Sequence, residues 1–215
     1  GSGDGLFAQQ TFTRPLDVGI DPFYSPTFGK IYRDGYKALS TAEGAYMPFA
    51  DASFQTIISN SVLEHIPDIE PVIAECYRVL KPGGYFLFCS PSDHFTDWFV
   101  GATFLGDGYR NWFNKIARHH HCDGPEAWGK RLAKYGLTVE RAWYYFSPRA
   151  LRILELGHFL GVPNLLSKLV LGQWVLWPSR QNPALRLLHR WLTPVYNEPL
   201  PKQGACVFVV ARKPL

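Results

Sequence analysis

Apolar and polar positions alternate most regularly between Met47 and Ser92, and they predict a strand, a helix and a second strand. Gln55 to Ser59 is a β-branched run bounded by polar residues, which is typical of a buried parallel strand. Pro71 falls in a first helical turn, and apolar residues then recur on one helical face until Pro82-Gly83-Gly84 ends the helix. Tyr85 to Cys89 is the next apolar strand. Two strands joined by a crossover helix form a right-handed unit, so the pattern predicts a parallel sheet.

The remaining elements are predicted in the same way from periodicity, caps and breakers. The predicted helices are Leu6 to Phe12, a short piece near Phe28 to Arg33, Glu126 to Tyr135 with Gly136 as its cap, and a helical segment opened by Ser147-Pro148 and divided by Pro163, Pro178 and Pro194. The predicted strands are Leu16 to Ile20, Tyr36 to Ser40, Thr138 to Tyr144 and Ala205 to Ala211. Asp93 to Arg118 is aromatic and predicted to be irregular. Strands that alternate with helices predict an α/β fold.

Charge is distributed unevenly along the chain. Residues 1–150 carry 14 Lys+Arg against 16 Asp+Glu, a balance of −2, whereas residues 151–215 carry 8 against 2, a balance of +6. The basic residues of the last third are interleaved with leucines and no nucleic-acid reader motif accompanies them, so nucleic acid is a poor fit as a partner. The apolar run Leu169 to Trp177 is far shorter than the roughly 20 residues that span a bilayer. An anionic membrane surface, a lipid-like substrate and plain packing over the sheet all remain open for this segment.

The cysteines and histidines give no metal site. Cys76, Cys89, Cys122 and Cys206 lack paired C-x-x-C spacing, which favours reduced core thiols in a cytoplasmic protein. His119, His120 and His121 are adjacent, and three adjacent side chains cannot all ligate one ion from a helix or a strand. We predict no metal, and substrate-wall or hydrogen-bonding roles remain open for these histidines.

Candidate ligand-binding residues lie near the start of the chain. Gly1, Gly3 and Gly5 alternate with polar residues, which lets the backbone turn sharply and approach a ligand closely. Asp21 ends the strand that follows, at the spacing where a carboxylate reaches ribose hydroxyls. A linker left from expression is the alternative reading of the glycines. Glu43-Gly44 follows the next predicted strand.

Four stretches in this order resemble the motifs of class I S-adenosylmethionine-dependent methyltransferases, in the small-molecule branch. They are GSGDG, VGID, AEGAYMPFADASFQTIISNSVLEHI and AECYRVLKPGGYFLF. The resemblance implies a Rossmann-like, mostly parallel sheet with an antiparallel last strand, and S-adenosyl-L-methionine as the cofactor. It implies that the glycine loop lies under the methionine part of the cofactor, that Asp21 binds the ribose, and that Glu43, with Gly44, meets the adenine amine. Asn60 and Ser61 would flank the cofactor, and His65 would point toward the site of methyl transfer.

The chain departs from the family pattern at two places. Gln55 replaces the usual aspartate, which changes hydrogen bonding in the loop more than chemistry. The chain begins at Gly1 without the hydrophobic strand that the family has before its glycine loop. We therefore expect a fragment with the first strand missing, which leaves two strand edges unpaired, lowers stability and weakens cofactor binding.

The resulting expectation is a single methyltransferase domain over residues 1–215. Residues 93–125 would form a lid or substrate wall, and residues 147–203 a helical cap inserted before the last strand. If the acceptor is a hydroxyl, His65 is the expected base, because an imidazole titrates near neutral pH; a structural hydrogen bond is the alternative role. The acceptor is expected to be a small molecule or lipid-like, and the protein cytoplasmic with peripheral membrane contact through residues 147–195. Two other functions stay open: a non-catalytic membrane- or partner-binding module, and, more weakly, an NAD(P)-dependent oxidoreductase.

Overall fold

The computed structural model describes residues 1–3, 5–23, 35–160, 169–170 and 183–215. The helices are α1 (Leu6–Thr11), α2 (Glu70–Val79), α3 (Val100–Ala117), α4 (Pro125–Ala133), α5 (Pro148–Leu160) and α6 (Pro183–Tyr196). The strands are β1 (Leu16–Asp21), β2 (Tyr36–Thr41), β3 (Phe54–Asn60), β4 (Leu80–Pro91), β5 (Thr138–Tyr145) and β6 (Cys206–Arg212), and a 3₁₀ turn covers Leu63–His65. The helix predicted near Phe28 to Arg33 and the breaks at Pro163 and Pro178 lie outside the described residues.

The strands form two sheets. β1 pairs in parallel with β2, and the larger sheet has the order β3-β4-β6-β5. β3 and β4 are parallel, as predicted for the strand–helix–strand unit. The Lys213 N–H donates to the Gly84 carbonyl at one end of β4, and the Ser92 N–H donates to the Ala205 carbonyl at the other, both at 2.9 Å. This pairing runs antiparallel, so the predicted Rossmann-like sheet with an antiparallel last strand is confirmed. In the described part of the chain no strand joins the two sheets.

Two compact units divide the chain. The first consists of Gly1–Ser90, Pro125–Ala142 and Val209–Leu215, and the second of Pro91–Gly124 and Trp143–Phe208. In the first unit, the apolar face of α2 is buried as predicted, and Trp128 of α4 packs on Phe88 of β4 with the ring centroids 4.7 Å apart. Both aromatic side chains are fully buried, because α4 presents the indole directly to the sheet.

The second unit has its own aromatic core and one buried acid. Its core consists of Phe95, Phe99, Ala102, Tyr109, Phe113, Leu151 and Ala205. Glu155 of α5 accepts hydrogen bonds from the Val100 and Gly101 N–H groups at 2.6 and 2.9 Å and from the Tyr109 hydroxyl at 2.7 Å. Burial and the Glu155 carboxylate raise the pKa of Tyr109 to about 12. Glu155 therefore satisfies the first backbone donors of α3, and the buried acid fixes α5 against that helix.

Three local predictions were wrong. Residues 100–117 are helical, not irregular, because Phe99, Ala102, Tyr109 and Phe113 provide a buried face; the pattern was obscured by Gly106, whose φ of 59° breaks the helix. Pro194 does not divide the last helical segment: it lies inside α6, only two residues before the helix ends at Tyr196, so few backbone bonds are lost. β4 begins at Leu80, earlier than Tyr85, although the pairs Phe54↔Leu80 and Thr56↔Tyr85 show that the Pro-Gly-Gly turn loops out of register.

Within the described residues, no helix combines the length and the apolar character that crossing a bilayer requires.

Candidate functional site

The glycine loop adopts conformations that other residues avoid. Gly3 and Gly5 have φ values of 52° and 87°, in the left-handed region, and Gly5 precedes α1. A Cβ on Gly1 would lie 2.5 Å from a methyl carbon of Val62, which is closer than atoms can pack. These three positions therefore favour glycine, two through their backbone conformation and Gly1 through its contact with Val62, while the predicted approach to a ligand stays a prediction.

Asp21 anchors this loop at the carboxyl end of β1. The Gly3 N–H donates to one carboxylate oxygen of Asp21 at 3.0 Å, and the Phe23 N–H donates to the other at 3.1 Å. The Ser2 N–H donates to the Ile20 carbonyl at 2.8 Å, so the loop continues the hydrogen bonding of β1. The Ser2 hydroxyl is buried and has no protein partner among the described residues. Hydrogen bonds therefore join the glycine loop to Asp21, and the Ser2 hydroxyl is left to bond to a ligand.

Glu43 and Gly44 lie at the same edge of the small sheet as Asp21. Asp21 pairs with Thr41, and the Ala42 N–H donates to the Asp21 backbone carbonyl at 3.1 Å, so Glu43 follows the adjacent strand end by two residues. The Glu43 side chain is exposed. Gly44 passes close to α2, since a Cβ there would lie 3.1 Å from a methyl carbon of Val72. Asp21 and Glu43 therefore stand at neighbouring strand ends. Two acids that bind two parts of one ligand have to lie close together in this way.

Arg78 of α2 clamps the segment that follows Gly44. Its guanidinium donates to the Met47 and Phe49 carbonyls at 3.0 and 2.7 Å and to the Asp51 carboxylate at 2.8 Å. It also pairs with Glu75, whose carboxylate accepts from the Met47 N–H at 2.8 Å. The sequence argument did not single out this clamp. Its only local signal is the spacing of Glu75 and Arg78, three residues apart on one helix.

The clamp predicts a specific loss of stability in acid. The hydrogen bond from Arg78 lowers the pKa of Glu75 below its usual value. A carboxylate with a depressed folded-state pKa contributes stability above its unfolded pKa of about 4.3, and this stability is lost as the pH falls through the folded pKa. We expect the free energy of unfolding of wild type and Glu75→Gln, measured by urea titration from neutral to acid pH, to converge below about pH 4.3. In an Arg78→Gln background, the difference in free energy of unfolding that Glu75→Gln causes should not shrink as the pH falls. If this difference stays constant with pH in the wild-type background as well, the loss of stability in acid does not come from the ion pair of Glu75 with Arg78.

Asn60 and Ser61 end β3 beside β4. Asn60 pairs with Cys89, and the Cys89 thiol donates to the Asn60 side-chain oxygen at 2.9 Å. The Ser61 N–H donates to the Cys89 carbonyl at 3.1 Å, although Ser61 has a left-handed φ of 52°. The Asn60 side-chain oxygen is therefore held by the thiol, and the amide nitrogen is the end of the side chain that this contact does not use. Cys89, predicted only as a buried thiol, therefore orients a candidate site residue.

His65 closes the 3₁₀ turn with a buried acid beside it. The imidazole is about half exposed, and its Nε2 lies 3.9 Å from Oε1 of Glu64. The Glu64 side chain is only 2% exposed, and its Oε2 has no hydrogen-bond partner among the described residues. Burial raises the pKa of Glu64, which favours its neutral form. Glu64, which no sequence pattern indicated, is therefore a buried acid beside a half-exposed imidazole.

The segment predicted as a lid contains a second polar cluster, which belongs to the second unit. The Tyr144 hydroxyl donates to the Asp93 carboxylate at 3.1 Å, and Nδ1 of His94 lies 2.9 Å from the Asp97 carboxylate. The ring centroids of His94 and Tyr144 lie 5.6 Å apart, and the two ring planes are tilted by 52°. Burial and Asp93 raise the pKa of Tyr144 to about 12. Farther along, Nδ1 of His119 lies 3.4 Å from the Asn114 side-chain oxygen, so this histidine has a hydrogen-bonding contact.

Comparisons with known proteins agree on the type of domain. Residues 1–88 match the family described as methyltransferase domain. The chain is 42% identical over 48 residues to a probable S-adenosylmethionine-dependent methyltransferase of Mycolicibacterium smegmatis, a match that covers 22% of this chain and 19% of that protein. It is 29% identical over 184 residues to an uncharacterized methyltransferase of Mycolicibacterium paratuberculosis, with 81% of this chain and 70% of that protein covered.

The fold is shared with a solved structure at low identity. A Haemonchus contortus phosphoethanolamine N-methyltransferase in complex with S-adenosyl-L-methionine aligns with a TM-score of 0.57 and 19% identity, covering 100% of this chain and 47% of that chain. The described chain therefore spans less than half of that protein.

Proposed function

We propose that this chain is a class I S-adenosylmethionine-dependent methyltransferase that transfers a methyl group from S-adenosyl-L-methionine to a small-molecule or lipid-like acceptor, a proposal supported by the family match over residues 1–88, the methyltransferase relatives and the shared fold. The observation that carries the proposal is the hydrogen bond between the Gly3 N–H and the Asp21 carboxylate. It joins the glycine loop to Asp21, the acid that we propose binds the ribose hydroxyls.

The residues present fit this cofactor. Gly3 and Gly5 adopt the left-handed conformations that turn the loop sharply, and the buried Ser2 hydroxyl has no protein partner among the described residues. Asp21 would accept hydrogen bonds from the ribose, and the exposed Glu43 from the adenine amine. Asn60 and Ser61 would flank the cofactor from the end of β3. Each carboxylate would then accept from a donor group of the cofactor, which is the pairing that a carboxylate requires.

When bound, the cofactor supplies an electrophilic methyl group on a sulfonium. The chain contributes alignment and the exclusion of water, which can provide most of the barrier reduction in an in-line displacement. For a hydroxyl acceptor, His65 would take the proton, with the buried Glu64 beside it. Residues 93–125, which follow β4 directly, are our proposal for the acceptor wall, and residues 147–203 for the cap.

The compartment proposed is the cytoplasm. All four cysteines are free thiols, and burial raises the pKa of Cys76 to about 12, which leaves it unreactive. Such thiols persist in a reducing environment.

Replacement of Asp21 tests the proposed cofactor site. Asp21→Asn should raise the Kd for S-adenosylhomocysteine about 10- to 100-fold, because charge-assisted hydrogen bonds are worth roughly 1.5–3 kcal/mol. Isothermal titration calorimetry measures this directly. Asp17→Asn is the matched control: it removes the same charge from the same strand, at an exposed position that pairs with the exposed Lys37.

Three outcomes are decisive in this titration. Loss in Asp21→Asn with little change in Asp17→Asn is the expected result. Equal losses in both variants would mean that net charge, not a ribose contact, governs affinity. Binding of NAD in place of S-adenosylhomocysteine would favour an oxidoreductase and overturn the proposed function.

A further inference from the structure

α6 is an amphipathic helix whose apolar face is open to solvent. Leu187, Trp191 and Leu192 remain 50%, 52% and 42% exposed. Leu187 and Trp191 lie four residues apart, so they share one stripe of the helix. In a folded domain such an apolar stripe normally packs against a core. A helix that leaves this stripe exposed typically binds an apolar surface outside the domain.

A basic stripe borders this apolar one. Arg186 and Arg190 are exposed and also lie four residues apart, and each precedes one of the apolar pair by one residue, about 100° around the helix. No Asp or Glu occurs anywhere from residue 156 to residue 197. Among the described residues, no carboxylate pairs with either guanidinium. The two acids nearest in sequence are engaged, Glu155 at α3 and Glu198 with Ser147 and Arg149.

We propose that α6 docks on the surface of an anionic phospholipid bilayer. The apolar stripe enters the boundary between headgroups and acyl chains, where Trp is favoured because its ring is amphipathic. Arg186 and Arg190 extend sideways from the stripe to lipid phosphates, which accept bidentate hydrogen bonds from guanidinium groups. The helix lies in the plane of the surface and does not cross it.

Charge argues against a second copy of the chain as the occupant of this face. A two-fold contact through α6 would bring the same basic stripe against itself, with no acid on the helix to neutralise it. An anionic lipid surface has the complementary charge. Each basic residue near such a surface strengthens binding about fivefold, so the pair contributes roughly 30-fold.

Co-sedimentation of the full chain with vesicles tests the proposal. We expect binding to phosphatidylcholine vesicles that contain phosphatidylglycerol, weak binding to phosphatidylcholine alone, and a decrease with added salt. The double substitution Arg186→Gln and Arg190→Gln should lower the partition coefficient about 30-fold. The matched control replaces the exposed Lys134 and Lys202 by Gln, which makes the same change in net charge away from α6.

Substitution of Trp191 tests the apolar contact separately. Trp191→Ser should weaken binding, whereas Trp191→Phe should still bind but lose the part of the tryptophan quenching that brominated phosphatidylcholine causes. Circular dichroism of each variant checks that the fold is retained. Equal losses in the lysine control, equal binding to uncharged vesicles, or quenching unchanged in Trp191→Phe would each overturn the proposal. A dimer in light scattering that dissociates in Trp191→Ser would assign the face to a second copy instead. Because these readouts need no methyl transfer, the proposal stands or falls independently of the proposed function.

Discussion

Substitution His65→Ala is expected to lower methyl transfer about 10²- to 10⁴-fold while leaving cofactor affinity unchanged, because a positioned general base contributes that factor to the rate. His65 ends the turn after β3, with a half-exposed imidazole, so a ligand can reach it from solvent. The Glu64 carboxyl beside it is buried, so a ligand that approaches from solvent meets the imidazole first. Removal of the imidazole therefore leaves no equivalent proton acceptor on this turn.

The measurement is S-adenosylhomocysteine formation with acceptor pools extracted from cells, divided into aqueous and organic-solvent fractions. Lys134→Ala is the control, since Lys134 is an exposed residue outside the turn, the proposed acceptor wall and the proposed cap. The fraction that supports turnover also distinguishes a polar acceptor from a lipid-like one. Full turnover in His65→Ala would remove the imidazole from the chemistry and leave it a structural hydrogen-bonding role.

Substitution Trp128→Ala is expected to lower the free energy of unfolding by about 3–5 kcal/mol, the usual effect of removing a fully buried Trp. Trp128 has 0% exposure, packs on Phe88 and lies under the guanidinium of Arg131, 5.6 Å from the ring centroid. A loss of this size is a large share of the roughly 5–15 kcal/mol that stabilises most domains. The variant should therefore be close to unfolding at physiological temperature.

Guanidinium unfolding followed by circular dichroism measures the change. Trp128→Phe should lose much less, because it keeps most of the volume and removes an indole N–H that has no partner among the described residues. Trp112→Ala is the surface control: Trp112 is about half exposed, and its removal should change stability by no more than about 0.5 kcal/mol. Equal effects at the two tryptophans would mean that α4 does not cover the sheet as described.

Local patterns predicted the elements whose signals lie in neighbouring residues. The unit from β3 to β4 was predictable because β-branched runs, an apolar helical face and Pro-Gly-Gly punctuation all occur within 40 residues of sequence. Asp21 could be placed at a strand end from sequence, and the structure adds that it holds Gly3. Its role toward the cofactor stays a prediction, as do those of Glu43, Asn60, Ser61 and His65.

The missed features depend on contacts between distant segments. The Arg78 clamp joins residues about 30 positions apart, and Glu155 bonds to α3 across more than 50 positions, so no local window contains either contact. α3 was missed because its glycines interrupt the periodicity, while the aromatic residues that stabilise it pack with Leu151 and Ala205 from elsewhere in the chain. Burial of Glu64 was equally invisible, since a Glu beside a His in sequence is usually exposed.

The left-handed backbone at Ser61 sets folding stability against the role that we propose for this residue beside the cofactor. Glycine adopts such a φ freely, whereas a residue with a Cβ costs about 1–2 kcal/mol there. Serine is therefore less favourable for folding than glycine at this position, and it is one of the residues proposed to flank the cofactor. A ranking of substitutions by folding energy alone would therefore select Ser61→Gly early. The variant would gain thermal stability at a position that is proposed to contact the cofactor.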